Sequence, residues 1–289
     1  MSASLVDAVT SWYAGAARDL PWRRPDATPW AVLVSEVMLQ QTPVTRVLPV
    51  YERWLARWPT ASDLAHDSPG EAVRAWDRLG YPRRALRLHA AAVAIVARHG
   101  GRVPSSYVEL RALPGIGDYT AAAVAAFAFG QRHAVLDTNV RRVLARAVGG
   151  AAGVAASVSA AERARAESLL PDDEKLAARF SVALMELGAL VCRARAPQCD
   201  ECPLVSVCAW RAAGAPSNVA AGRSQTYAGT DRQVRGRLLA VLRSSPGPVP
   251  AAQLDLAWSH DEQRVRALDA LVADGLVQRV SHHEFSLPV

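Results

Sequence analysis

The sequence is poor in lysine: of 33 basic residues, Lys175 alone is not arginine. A lysine side-chain amine is therefore available as nucleophile at one position only. That position lies in the acidic run Asp172-Asp173-Glu174-Lys175, which reads as a solvent-facing loop or helix start. No stretch of about 18 consecutive apolar residues occurs, so no membrane-spanning helix is expected. The N-terminus lacks a charged region followed by an apolar one, so these residues do not read as a secretory signal. A cytoplasmic protein is the expectation, and with it a reducing environment in which disulfides are unusual.

Against these absences stands a chain of 289 residues, 51 % hydrophobic, long enough for a full core and two or three domains. Its net charge of +6 and pI of about 9.5 favour a polyanionic partner, the alternative being a solvated basic surface.

The segment Ser35-Glu36-Val37-Met38-Leu39-Gln40-Gln41-Thr42 places a carboxylate inside an apolar helix. Thr28 and Pro29 suit the N-cap and first helical position, and Trp30, Leu33, Val34, Val37 and Met38 recur at helical spacing. Burial disfavours the ionised form of Glu36, and a proton held near neutral pH is what a general acid needs. Gln40, one turn along, and Gln41 bring amides able to read base edges. The alternative is a glutamate at the rim of the core paired with an arginine.

All four cysteines, Cys192, Cys199, Cys202 and Cys208, fall within one short stretch. One C-x-x-C knuckle with two single ligands suits a cubane iron-sulfur cluster better than a zinc ribbon, which usually shows two knuckles. Zinc stays open, since both metals accept four thiolates. Such a cluster is a staple for a loop-rich segment, and Arg193, Arg195 and Arg211 give it a basic surroundings suited to DNA.

Leu113-Pro114-Gly115-Ile116-Gly117-Asp118-Tyr119-Thr120 lies between a short amphipathic segment from Ser105 to Arg111 and an Ala-rich one ending at Gly130. It reads as helix, hairpin, helix. Gly115 and Gly117 allow close approach of a partner, and the second helix offers free N–H groups to a phosphate. An ordinary helix corner is the competing explanation. Asp137, in Leu136-Asp137-Thr138-Asn139-Val140, stands where an apolar run gives way to a helix. It is either an N-cap or the second carboxylate of a pair with Glu36, the arrangement that breaks a glycosidic bond through an oxocarbenium-like transition state.

In their order, these motifs resemble the MutY-type adenine DNA glycosylases of the helix-hairpin-helix superfamily, most closely the actinobacterial ones. The resemblance runs from about Leu20 to Trp210 and includes Leu20-Pro21-Trp22, Leu79-Gly80-Tyr81, both helical motifs, the Asp137 motif and the cysteine array. It implies excision of adenine mispaired with 8-oxoguanine or guanine in duplex DNA. Glu36 matches the acid that protonates the base, Asp137 the carboxylate that stabilises the sugar cation, and Asn139 a residue that positions that carboxylate. Tyr119 matches the position where lyase-active relatives carry a lysine, so a monofunctional enzyme leaving an abasic site is implied. Gln41 and Tyr81 match residues that enter the stack as adenine is flipped, with Gln40 sharing that task. Pro82 and the Arg83-Arg84 pair place Tyr81 in an exposed loop. The four cysteines match the ligands of a 4Fe-4S cluster.

The chain departs from the family at Val182, where many relatives carry a polar contact to the base, at Thr138 and at Pro82. The 8-oxoguanine-reading domain of many relatives is not expected in a chain of this length. A low-complexity linker from 212 to 230 leads instead to helical segments at about Arg232–Arg243, Pro250–Trp258 and Asp261–Asp274, then an alternating stretch from Leu276 to Leu287 that reads as a hairpin. This pattern suggests a winged-helix-like module, serving either DNA contact through its third helix or packing. His282, His283 and Ser286 are candidates for lesion contact or plain exposed residues.

The expected architecture is mostly α: a helix-hairpin-helix glycosylase fold with an iron-sulfur cluster domain and a small winged-helix-like domain. Residues 1–24 pack with the cluster domain, 25–135 form a six-helix barrel, 136–211 the cluster domain, 212–230 the linker and 231–289 the last domain. Glu36 and Asp137 then face each other across a groove. A monomer binding duplex DNA, without a membrane partner, is expected. Two rivals stand beside this reading: a glycosylase for thymine opposite guanine, and a non-catalytic iron-sulfur DNA-binding or redox-sensing protein. The second conflicts with a buried acid at Glu36.

Overall fold

The computed structural model describes residues 2–216 and 227–289; the centre of the expected linker lies outside them. The described residues are mostly helical and divide into two compact units. In chain order the helices are α1 (Ser2–Ala16), α2 (Pro29–Leu39), α3 (Val44–Arg57), α4 (Ala61–His66), α5 (Pro69–Ala75), α6 (Arg83–His99), α7 (Tyr107–Arg111) and α8 (Asp118–Phe129). They are followed by α9 (Thr138–Ala147), α10 (Ala160–Leu169), α11 (Glu174–Leu190), α12 (Ala209–Ala212) and α13 (Asp231–Ser244). The C-terminal region then runs β1 (Val249–Pro250), α14 (Ala251–Asp255), α15 (Asp261–Ala273), β2 (Gln278–Ser281) and β3 (Glu284–Ser286).

One unit comprises residues 2–32, 105–112 and 116–216. Its core joins Leu5, Val6 and Val9 of α1 to Val140, Val143 and Leu144 of α9 and to Phe180, Leu184 and Leu187 of α11. Glu186 lies on that α11 face with no exposed side-chain surface, and it is held by Arg18 at 2.6 Å and Arg23 at 3.0 Å. This pairing ties the segment after α1 to α11. Asp173 caps α11, accepting from the Leu176 N–H at 2.7 Å, and Lys175 is exposed in the first turn, as the acidic run suggested.

The other unit comprises 33–104, 113–115 and 227–289. Its centre holds three fully buried tryptophans, with Trp54 edge-on to Trp58 at 4.7 Å and to Trp76 at 5.7 Å. The C-terminal region packs within this unit. Arg243 donates to the carbonyl of Val73 at 2.9 Å, and a Cβ on Gly70 would stand 2.3 Å from the Pro288 carbonyl, so only glycine fits on α5 there. Arg83, at the start of α6, and Arg235, on α13, both pair with Asp274.

The helix expected from Pro250 to Trp258 is shorter than its pattern. Val249 and Pro250 are extended and pair with Phe285 and Glu284, and α14 stops at Asp255. The sheet order β1-β3-β2 leaves β1 at the edge, where proline is tolerated. On α15, Arg264 pairs with Asp255 and Asp261, and Arg266 with Asp231.

Candidate active site

Glu36 lies near the end of α2 and is 5 % exposed, between Leu33, Val34, Val37 and Met38, all buried. The helix begins as its sequence indicates: Thr28 accepts from the Ala31 N–H at 3.1 Å and Pro29 takes the first position. Gln40 is half-buried and Gln41 exposed, the latter with φ of 54°, where the chain leaves the helix. Thr42 is buried again, so Gln41 stands out between two inward-facing neighbours.

Tyr81 lies in a second turn of the same unit, 54 % exposed, with φ of 47° following Gly80 at 82°. Exposure of this tyrosine agrees with the loop read from Pro82 and the arginine pair, but Arg84 does not. Its side chain is 6 % exposed and turned inward, where desolvation brings its pKa down to about 10, still protonated at neutral pH. The reason is an unusual set of acceptors. Nη1 donates to the carbonyls of Val37 and Met38 at 3.0 Å and to that of Gln40, while Nη2 reaches Thr42 Oγ1 at 2.9 Å and the Gly80 carbonyl at 3.1 Å.

Asp137 belongs to the first unit. It is the N-cap of α9, and its carboxylate accepts from the Val140 N–H at 2.6 Å and from Asn139 Nδ2 at 2.7 Å. Burial pushes its pKa up, and those two donors partly offset the rise. Asn139 is in turn held by Arg142, which donates to Asn139 Oδ1 and to the carbonyls of Gly188 and Cys192, each at 2.7 Å. A Cβ on Gly188 would lie 2.6 Å from Asn139 Cβ and 2.8 Å from its carbonyl oxygen, so glycine is what lets α11 approach α9 at this residue. Neither Arg142 nor Gly188 was marked by the sequence reading; both act across 46 or more residues, beyond any local pattern.

The hairpin motif forms as read. Gly115 is exposed at φ of 76°, and a Cβ there would meet the Arg87 side chain at 2.6 Å. Gly117 is the N-cap of α8; no side chain caps the helix, and the space where its Cβ would project is open. An uncapped helix start of this kind is suited to an anion. Tyr119, half-buried, packs on Ala122, Ala123 and Ala126.

Cys192, Cys199, Cys202 and Cys208 line one cavity, together with Arg146 and Trp210, and none is in a disulfide. Arg146 is 3 % exposed, approaches Cys192 Sγ at 3.5 Å, lies 4.8 Å from the Trp210 ring centroid, and donates to the carbonyls of Ala152 and Arg193. Four thiols lining one cavity beside a buried cation form a donor set suited to an anionic metal-thiolate group. Among the described residues no three His, Cys, Asp or Glu side chains gather closely enough for a single ion.

The family pattern described as HhH-GPD superfamily base excision DNA repair protein matches residues 34–168. Across 99 % of its length the chain is 56 % identical to the adenine DNA glycosylase of Mycolicibacterium smegmatis, covering 97 % of that protein. The chain belongs to the HhH-GPD superfamily. The adenine DNA glycosylase of Mycobacterium tuberculosis is 54 % identical over 96 % of the chain and 91 % of its own length. The fold also matches the solved structure of a thermostable thymine-DNA glycosylase, with a TM-score of 0.66 at 28 % identity, over 73 % of this chain and 97 % of that one. Within the superfamily frame, the pattern spans Glu36, Tyr81, the glycine hairpin and Asp137, while the cysteines follow it. No helix among the described residues is long and apolar enough to cross a membrane.

Proposed function

We propose that this chain is a monofunctional adenine DNA glycosylase acting in base excision repair on adenine mispaired with 8-oxoguanine or guanine. The observation that carries the reading is identity above 50 % with adenine DNA glycosylases along nearly the whole chain. The burial of Glu36 among apolar neighbours supports it, since a carboxyl group kept from water is suited to donate a proton.

In this mechanism Glu36 transfers its proton to a ring nitrogen of adenine. The glycosidic C–N bond then breaks with its electron pair leaving on the base, and the ionised Asp137 stabilises the cation that develops on the sugar. Asn139 orients that carboxylate through its 2.7 Å hydrogen bond. Addition of water completes the hydrolysis and leaves an abasic site. Tyr119 carries no amine, so strand cleavage through a Schiff base lacks its nucleophile. Gln41 and Tyr81, with Gln40 behind them, fill the space left by the flipped base, and Gly115 and Gly117 bring a phosphate to the start of α8.

Cys192, Cys199, Cys202 and Cys208 would hold a 4Fe-4S cluster, which when bound cross-links their loop through four thiolates. The cavity they share, with Arg146 beside Cys192, supports that assignment. The C-terminal order of helix, strand, two helices and two strands supports the reading of a winged-helix-like module. We read this module as a packing unit, because Arg264 and Arg266 of α15 are engaged by carboxylates of the module itself. The enzyme acts as a monomer on duplex DNA in the cytoplasm.

A second reading, removal of thymine opposite guanine, is favoured by the match to a thymine-DNA glycosylase structure and by Val182, half-buried on α11, where a polar contact to adenine would be expected. Single-turnover excision from duplexes holding adenine opposite 8-oxoguanine, adenine opposite guanine and thymine opposite guanine separates the two. Adenine loss fastest opposite 8-oxoguanine, with nicks only after alkali, supports the proposal. Thymine loss without adenine loss overturns it.

A further inference from the structure

Gln41 and Tyr81 both sit in the left-handed backbone region, at φ of 54° and 47°. Residues with side chains rarely adopt this conformation, and it persists where the surroundings impose it. Trp76 donates from Nε1 to the Gly80 carbonyl at 3.0 Å, and one side chain, Arg84, reaches both turns. Arg84 directs one nitrogen, Nη1, at the carbonyls of Val37, Met38 and Gln40, which end α2 immediately before Gln41. The other, Nη2, goes to the Gly80 carbonyl, next to Tyr81, and to Thr42 Oγ1, immediately after Gln41. Thr42 extends the tie by its position 3.3 Å from the Leu79 carbonyl. The guanidinium carbon also lies 5.5 Å from the Tyr81 ring centroid and 5.1 Å from that of the buried Trp76.

We propose that Arg84 is a positioning residue for base flipping, clamping the Gln41 and Tyr81 turns into one unit so that both side chains enter the duplex together. The inference rests on the reading that Gln41 and Tyr81 enter the stack. Arg84 itself is buried, so its role is to hold the two turns. Its planar fork is what the arrangement requires: two nitrogens serve acceptors on two turns at once, while the ammonium of lysine is a single point of charge. The positive charge also sits at the C-terminal end of α2, where unpaired carbonyls and the helix dipole favour a cation. A clamped pair has its geometry set before contact, so insertion does not wait on ordering two turns separately.

The test reads flipping apart from chemistry. In the full-length protein carrying Glu36→Gln, a 2-aminopurine target opposite guanine reports unstacking by its fluorescence. Arg84→Met is expected to slow the fluorescence rise at least fivefold, Arg84→Lys to restore it only in part, and affinity for an undamaged duplex to stay within twofold. With Glu36 intact, excision by Arg84→Met should recover when the target adenine sits in a pre-opened bubble. Adding Arg84→Met to Tyr81→Ser should cost little beyond Tyr81→Ser alone. Equal losses on paired and pre-opened targets, additive with Tyr81→Ser, would mean a general structural effect and overturn the clamp. Should melting curves show that Arg84→Met does not fold, Thr42→Val removes the hydroxyl between Arg84 and Leu79 and carries the same test at a smaller effect. Normal flipping by both Tyr81→Ser and Gln41→Ala overturns the insertion reading on which the clamp depends. Impaired flipping by Tyr81→Ser, with Arg84→Met and Thr42→Val normal, overturns the clamp alone.

Discussion

Arg142 donates from Nε to the backbone carbonyl of Cys192 at 2.7 Å. Its Nη2 holds Asn139, and Asn139 holds Asp137, so two side chains connect the first residue of the cysteine-bearing loop to the candidate catalytic carboxylate. The links are charged and amide hydrogen bonds, in surroundings where burial raises the Asp137 pKa.

Removing the donor next to the carboxylate has a defined sign. Asn139 lowers the Asp137 pKa against the effect of burial, so Asn139→Ala raises it further and favours the protonated form, which cannot stabilise a cation. The acid limb of the single-turnover rate against pH is expected to move to higher pH. At its optimum the rate should fall about tenfold to a hundredfold, the range for a hydrogen bond to a charged group of about 1.5 to 3 kcal/mol. An unmoved acid limb would separate Asn139 from the ionisation of Asp137.

Gly188 tests the same region by packing. A Cβ at this position would meet backbone of Asn139 at 2.8 Å, which a rotamer change cannot relieve. Gly188→Ala is expected to lower stability by about 1 to 3 kcal/mol, the cost of overpacking, and to cut excision beyond the loss explained by unfolding. Denaturant midpoints and single-turnover rates at saturating enzyme check both, and an active, fully stable variant would contradict the close approach of α9 and α11.

Glu186 gives a stability prediction independent of catalysis. Burial alone would raise its pKa, but the hydrogen bonds from Arg18 and Arg23 overcome this and hold it at about 2. An unfolded glutamate titrates near pH 4.3. The folded pKa is thus the depressed one, so the ion pairs contribute fully above about pH 4.3 and their contribution is lost as pH falls toward the folded value. Urea midpoints should drop through this window for the wild type. Glu186→Gln should cost about 3 kcal/mol at pH 7, typical of a broken buried pair, and flatten the drop. A variant as acid-sensitive as the wild type would contradict the assignment.

How legible each element was depends on the range of the interactions that define it. The α2 helix, its Thr28-Pro29 start, the glycine hairpin and the Asp137 cap are local, set by periodicity and capping within a few residues, and they formed where the sequence placed them. The two readings of Asp137 were not exclusive, since capping α9 leaves it able to act on a sugar. The charge of Arg84 and its arginine neighbour suggest solvent, while four of its five acceptors lie more than 40 residues earlier in the chain and the fifth is Gly80. Glu186 escaped notice for a similar reason: Arg18 and Arg23 are 168 and 163 residues away. The start of α14 at Ala251 reflects pairing of Val249 and Pro250 with β3, a tertiary effect that no helical pattern reveals.

The most direct measurement compares wild type with Glu36→Gln in single-turnover excision of adenine opposite 8-oxoguanine, alongside the dissociation constant for the same duplex. With Glu36 as the acid, the wild type releases adenine, and the variant loses excision by about a hundredfold to ten-thousandfold, the usual contribution of a general acid, while binding stays within about threefold. Excision by Glu36→Gln at the wild-type rate would contradict the account, whatever duplex the protein binds.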